Sequence, residues 1–170
     1  MRAGGKNACS SCSASSNGTR PTIIRPSASA SEPQVPLFVD TSVWSLALRR
    51  DQTADSAEVG MLIRTIESGE TLSTTGLVLQ ELLQGFAGPK SRDQIVERFS
   101  ALPLIVPDRD DHIHAAELRN QCRRKGVQIG TIDALLAQLC IRHDLTMLTT
   151  DEDFRHVAKH AALKVWQPPL

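Results

Sequence analysis

From Pro36 onward, short apolar runs alternate with amphipathic stretches of helical period, and this alternation restricts the chain to strand–helix–strand units built on a parallel sheet. Residues 37–40 form the first strand. A helix over 42–50 follows. A second helix over 53–67 carries Val59, Leu62, Ile63 and Ile66 on one face, and Gly69 stops it. Residues 71–74 form a short strand, and Thr75 is placed to cap a helix that runs over 77–84 and ends at Gly85. Pro89 opens another helix, ending near Leu102. After a strand over 104–106, Asp108 starts a long polar helix that reaches Lys125 and is closed by Gly126. A helix over 132–143, a strand over 146–149, a short helix to Lys159 and a last strand over 163–166 complete an α/β chain without internal repeats.

Residues 1–34 do not share the pattern. They are rich in Ser, Ala, Gly and Pro, and Ile23 and Ile24 are their only sizeable apolar groups, too few to offset the entropy of ordering. They are expected to form a disordered tail ahead of a folded domain over 35–170. Cys9 and Cys12 make a C-x-x-C pair, but no second pair follows at zinc-ribbon spacing and no strand–helix frame supports a redox motif. Cys122 and Cys140 lie among apolar neighbours and read as inert core thiols. No apolar stretch approaches the ~18 residues of a membrane span, and the N-terminus lacks a secretory segment, which points to the cytoplasm. The net charge is zero, yet the first 35 residues hold four basic groups against Glu32. That leaves 15 cations against 18 anions, or −3, for residues 36–170. A polyanion partner must therefore be met by a local basic patch or by bound cations.

Four carboxylates stand at ends of these elements. Asp40 closes the first strand, Asp133 opens a helix that is apolar nearly all round, Asp151 follows the 146–149 strand, and Glu81 sits among Leu79, Leu82 and Leu83. In parallel α/β sheets the strands' C-terminal ends meet helix N-termini, so Asp40 and Asp151 should converge on one rim, with Asp133 beside them. Two carboxylates ~5 Å apart repel by roughly 3 kcal/mol at an effective dielectric near 20, so four stay ionised in one cleft only with a cation among them. An all-oxygen set favours Mg²⁺, or Mn²⁺, over zinc. Ser42, Thr131 and Thr149 each lie two residues from an acid. Their hydroxyls suit orientation of a carboxylate or a metal-bound water, and Thr131 is equally well placed as a helix cap.

The pieces Val39-Asp40-Thr41-Ser42, Gln80-Glu81-Leu82, Thr131-Ile132-Asp133-Ala134 and Leu148-Thr149-Thr150-Asp151-Glu152-Asp153-Phe154, in this order, resemble the PIN-domain ribonucleases, specifically the VapC-type toxins of bacterial toxin–antitoxin pairs. The resemblance covers about residues 36–168. It implies a PIN-like three-layer α/β/α fold, with a central, mostly parallel sheet flanked by helices. It also implies a magnesium-dependent RNA endonuclease, usually a homodimer, silenced by a cognate antitoxin protein. Asp40, Glu81 and Asp133 match the family's first three acids, and the fourth falls to Asp151 or Asp153. The expected reaction is in-line attack by a metal-activated water, leaving a 5′-phosphate and a 3′-hydroxyl.

RNA must also be held away from the metal. Arg119, Arg123, Arg124 and Lys125 form the most basic segment and are the candidate phosphate track, although cations also suit a helix C-terminus. With no Tyr, four Phe and two Trp, the chain has little material for base-stacking platforms, and Trp44 reads as core. His156 with His160 and His112 with His114 offer pairs without a framed third ligand, as zinc sites or as the acid–base pair of a metal-free nuclease. The alternative function is a non-catalytic α/β protein, either a metal-binding regulatory domain of receiver type or an RNA-binding scaffold.

Overall fold

The computed structural model describes residues 36–49, 56–86 and 88–169. The expectations for residues 1–34, the Cys9–Cys12 pair and the helix start at Thr53 lie outside these residues. β1 (Leu37–Val39) is fully buried, and Asp40 behind it caps α1 (Thr41–Leu48) by accepting the Ser42 N–H. Ser56 caps α2 (Ala57–Ser68), which ends at Gly69 in the left-handed region, φ 68°, where a side chain would be strained. β2 (Leu72–Thr75) leads directly into α3 (Gly76–Gly85), and Pro89 occupies the first turn of α4 (Pro89–Ser100). β3 (Leu104–Ile105) and the long α5 (Arg109–Arg124) follow. Asp108 and Asp111 cap α5 reciprocally, each carboxylate accepting the other's backbone N–H. α6 (Thr131–Arg142), β4 (Thr146–Leu148), α7 (Glu152–Ala158) and β5 (Lys164–Val165) complete the order.

One local expectation fails. Thr75 makes no capping hydrogen bond, because it is the last residue of β2, buried and paired with Ile105. Gly85 is the last residue of α3, as expected, and Phe86 beyond it is extended. The third strand is also shorter than the 104–106 pattern suggests, since Val106 is 80% exposed beyond it.

The sheet runs β3-β2-β1-β4-β5 with every neighbouring pair parallel. Moving from β1 to β3 the chain steps one way, and from β3 through β4 to β5 it steps back. Right-handed crossovers therefore put α1–α4 on one face and α5–α7 on the other. Covered on both faces, β1, β2 and β4 are buried at every position, whereas the two-residue edge strands stay partly exposed. Trp44 is 4% exposed and packs on Phe99 at 5.0 Å between ring centroids, so it belongs to the core. Phe38 is completely enclosed in the central strand. Phe38→Ala is expected to lower unfolding free energy by about 3–5 kcal/mol in denaturant titrations, the usual cost of a large core cavity.

On the second face α5 and α6 pack closely together. Arg142 at the end of α6 reaches Asp108 at 2.6 Å and the buried Asp111 at the start of α5, so the helices run antiparallel and the N-terminus of α6 is delivered to the sheet rim. Cys122 and Cys140 are buried and free, and burial pushes both thiols up, which makes them poor nucleophiles.

Candidate metal centre

The order of strands changes direction between β1 and β4, and the crevice past their C-terminal ends is where an open α/β sheet exposes functional groups. Asp40 follows β1 and caps α1. Asp151 follows β4 and caps α7, its Oδ1 accepting the Asp153 N–H at 2.9 Å. Asp133 occupies the first turn of α6. Three helix N-termini thus point their positive ends at three carboxylates, which partly offsets gathering like charges. Glu81 comes from the middle of α3.

A hydroxyl network fixes Asp40. Its Oδ2 accepts from Ser42 Oγ at 2.7 Å and from Thr149 Oγ1 at 2.9 Å. The two hydroxyls are themselves oriented from the β4–α7 turn, since Ser42 Oγ accepts the Thr150 N–H and Thr149 Oγ1 accepts the Asp151 N–H. Thr149 therefore links two of the acids. Glu81 is held similarly, its Oε2 accepting from Thr41 Oγ1 at 2.6 Å. Each of these three carboxylates has one oxygen tied by hydrogen bonds.

Asp133 is the electrostatic centre of the group. Burial raises its carboxyl above the ordinary value of 3.8, and the charges of Asp40, Asp151 and Glu81 raise it further, against the lowering effect of the Gly130 backbone N–H. That N–H comes from an extended residue capping α6 (φ −64°, ψ 164°), and a Cβ placed there would lie 2.5 Å from Asp133 Oδ2. Only a glycine lets the α6 entry lie this close to the carboxylate.

The structure therefore brings Asp40, Glu81, Asp133 and Asp151 to one rim, with Ser42 and Thr149 bonded to Asp40. Among the described residues no three His, Cys, Asp or Glu side chains already stand at ligand spacing. Thr131 is placed differently. It is exposed at the start of α6, Gly130 is the cap, and no hydrogen bond joins the Thr131 hydroxyl to an acid among the described residues. The exposed Asp153 lines a groove shared with Arg119, Arg123 and Gly130. Lys125 lines a separate groove with His114, Gln121 and His160, and Arg124 lines neither, so the basic run is divided between faces. His112 and His114 likewise line different grooves, as do His156 and His160. Thr41 and Gly130 were not singled out by sequence spacing. Thr41 stands next to an acid and so carried a weak signal, whereas Gly130 is marked only by lying three residues before Asp133.

Comparison with known proteins agrees with this architecture. The PIN domain family model matches residues 37–160. Ribonuclease VapC11 of Mycobacterium tuberculosis and VapC ribonuclease Mb1587 of Mycobacterium bovis are each 28% identical over 125 residues, covering 72% of this chain and 92% of the relative. A chain of the VapBC2 structure from Rickettsia felis, solved with a DNA fragment from its promoter, superposes with a TM-score of 0.61 at 19% identity, over 77% of this chain and 98% of its own. VapC20 of Mycobacterium tuberculosis, described as a sarcin-ricin loop cleaving toxin, superposes at 0.55 and 20% identity, over 75% and 98%. With the family model spanning β1 through α7 and all four rim acids, this chain belongs to the PIN domain family.

Proposed function

We propose that this protein is a magnesium-dependent endoribonuclease and the toxin of a toxin–antitoxin pair. The observation that carries the reading is the convergence of charge on Asp133, whose carboxyl is raised first by burial and then by three other acids at the crevice the sheet topology opens. Divalent-metal dependence is general among VapC-type PIN ribonucleases, and an all-oxygen donor set suits Mg²⁺, with Mn²⁺ as a substitute. When bound, such an ion replaces mutual repulsion among the acids with attraction, polarises the phosphate and acidifies a water for attack on phosphorus.

The chain's own residues divide the remaining work. Asp40, Glu81, Asp133 and Asp151 are the candidate ligands. Ser42 and Thr149 hold Asp40 through Oδ2, and Thr41 holds Glu81 through Oε2, so the other oxygen of each carboxylate would be left for an ion. Asp153 lines the groove beside Gly130, which supports assigning it to orient water and Asp151 to the ligand set. Arg119 and Arg123 line the groove that runs past Gly130, and neither forms an ion pair among the described residues, so both are available to RNA phosphates. Arg123→Ala is expected to weaken RNA binding in EDTA about evenly across sequences and to reduce the salt slope of log K by ~1, as read from filter binding at several ionic strengths.

An antitoxin protein that covers the crevice and a second copy of the chain are the partners this reading implies. Its test is incubation of antitoxin-free protein with defined single-stranded RNAs in Mg²⁺ or in EDTA. Cleavage in Mg²⁺ alone, leaving 5′-phosphates, is expected. RNA that is bound and left intact in Mg²⁺ would make the protein a scaffold instead.

A further inference from the structure

A second groove, of about 420 Å³, opens between α3, α5 and α6. Its volume lies within the ~300–1,000 Å³ of small-ligand sites. Its position relative to the acids is fixed by the chain: Leu77 lies one helical turn before Glu81 on α3, and Thr131 and Ile132 lead into Asp133 on α6. Arg119 belongs to this groove and also to the cationic groove beside Gly130, so it stands on the wall between them.

The lining is mixed in a particular way. Leu77 and the 40% exposed Ile132 give it apolar sides. Along α5, His112, Ala116 and Asn120 follow one another at four-residue steps on a single face, all exposed. The His112 and Asn120 side chains make no hydrogen bond among the described residues, so their donors and acceptors are unspent. Arg119 donates only its Nε–H, to the Ile129 carbonyl at 3.0 Å, which fixes the guanidinium plane and leaves both Nη groups.

An apolar groove with a polar rim, beside a cation with unspent donors, suits an unpaired nucleobase. Single-stranded RNA is read by splaying bases out onto aromatic or Arg planes and hydrogen-bonding their edges. Aromatic side chains are not offered at this rim: Phe38, Trp44, Phe99 and Phe154 are buried, and the partly buried Phe86 and Trp166 line neither groove. We infer that the α3–α5–α6 groove binds the nucleobase adjoining the scissile phosphate, stacked at Arg119 and read at its edge by His112 and Asn120. The inference rests on the ribonuclease reading above. The cleaved sequence is then set beside the acids by α5, and the acids themselves are indifferent to base identity.

The test is cleavage of a randomised single-stranded RNA pool in Mg²⁺ by the parent protein, His112→Ala, Asn120→Ala and Ala116→Trp, with cut sites sequenced and sedimentation run on each. The parent is expected to favour one base next to the cut by ~10-fold or more, and either Ala variant to reduce that to within about twofold, since a lost hydrogen-bond partner removes discrimination. Ala116→Trp, which fills the slot, is expected to bring cutting of the favoured sequence down to the rate on the others. All three positions are exposed, and circular dichroism would show whether α5 is retained. A parent preference that survives in all three variants overturns the inference and leaves the ribonuclease reading standing. So does an Ile132→Asp protein that turns from dimer to monomer with its base preference intact, because the groove would then be a contact between two copies. A parent protein inert on every RNA removes the ribonuclease reading and the inference together.

Discussion

Asp133→Asn is expected to reduce RNA cleavage by about 10³-fold or more, on the scale of losing a principal charge-stabilising group. The same substitution is expected to raise the thermal unfolding temperature at neutral pH in EDTA. The two effects share one cause. Burial and the charges of Asp40, Asp151 and Glu81 lift the Asp133 carboxyl above its unfolded value of 3.8, so the ionised form is worse off folded than unfolded. A raised carboxyl binds its proton more tightly in the folded state. Its penalty is absent well below the unfolded value, grows as pH rises from there to the folded value, and is fully present at neutral pH. The neutral amide never incurs it, so the stability advantage of the variant should vanish in acid. Divalent ions should reverse the order. The parent gains about 2.7 kcal/mol at an ion concentration one hundred times Kd, and the variant gains much less. Calorimetric scans with and without Mg²⁺, beside single-turnover cleavage, would check both halves. Equal cutting by the Asn variant would take Asp133 out of the mechanism.

Gly130→Ala is expected to cost about 10²-fold in kcat/KM, the order expected when a reacting constellation is displaced by about 1 Å. Its backbone angles suit alanine, so the chain can follow the same path. The added Cβ would sit 2.5 Å from Oδ2 and 3.4 Å from Cγ of Asp133, so the carboxylate must swing away from its place. Because Asp133 moves while the core does not, the unfolding temperature should hold while activity and Mn²⁺ affinity fall together. Unchanged kcat/KM would show that the carboxylate has room the structure does not display.

Most of the fold could be read from periodicity because its strands are short apolar runs separated by helices with one greasy face. The starts of α4 and α5 were marked by Pro89 and Asp108, and the end of α2 by Gly69, each acting through its own backbone chemistry. Thr75 misled because local propensity was overridden: its side chain was committed to the sheet and left α3 without a side-chain cap. Asp40, Asp133 and Asp151 were legible as residues at element ends, whereas Glu81, in the middle of α3, was marked only as an acid among leucines. What could not be read was how each is held. The Thr41–Glu81 bond spans 40 residues and the Thr149–Asp40 bond 109, and these separations are closed by the β1–β2 and β1–β4 pairings respectively. The division of the basic run was hidden for a related reason. Arg119 and Arg123 share one side of α5, while Lys125 falls at its end on another, which depends on where α6 packs.

The most direct measurement is anomalous diffraction from crystals of the antitoxin-free protein soaked in Mn²⁺. A peak within coordination distance of Asp133 and at least one of Asp40, Glu81 and Asp151, lost on Asp133→Asn, is the predicted result. Manganese bound at His112, His114, His156 or His160 while the four-acid cleft stays empty would contradict it.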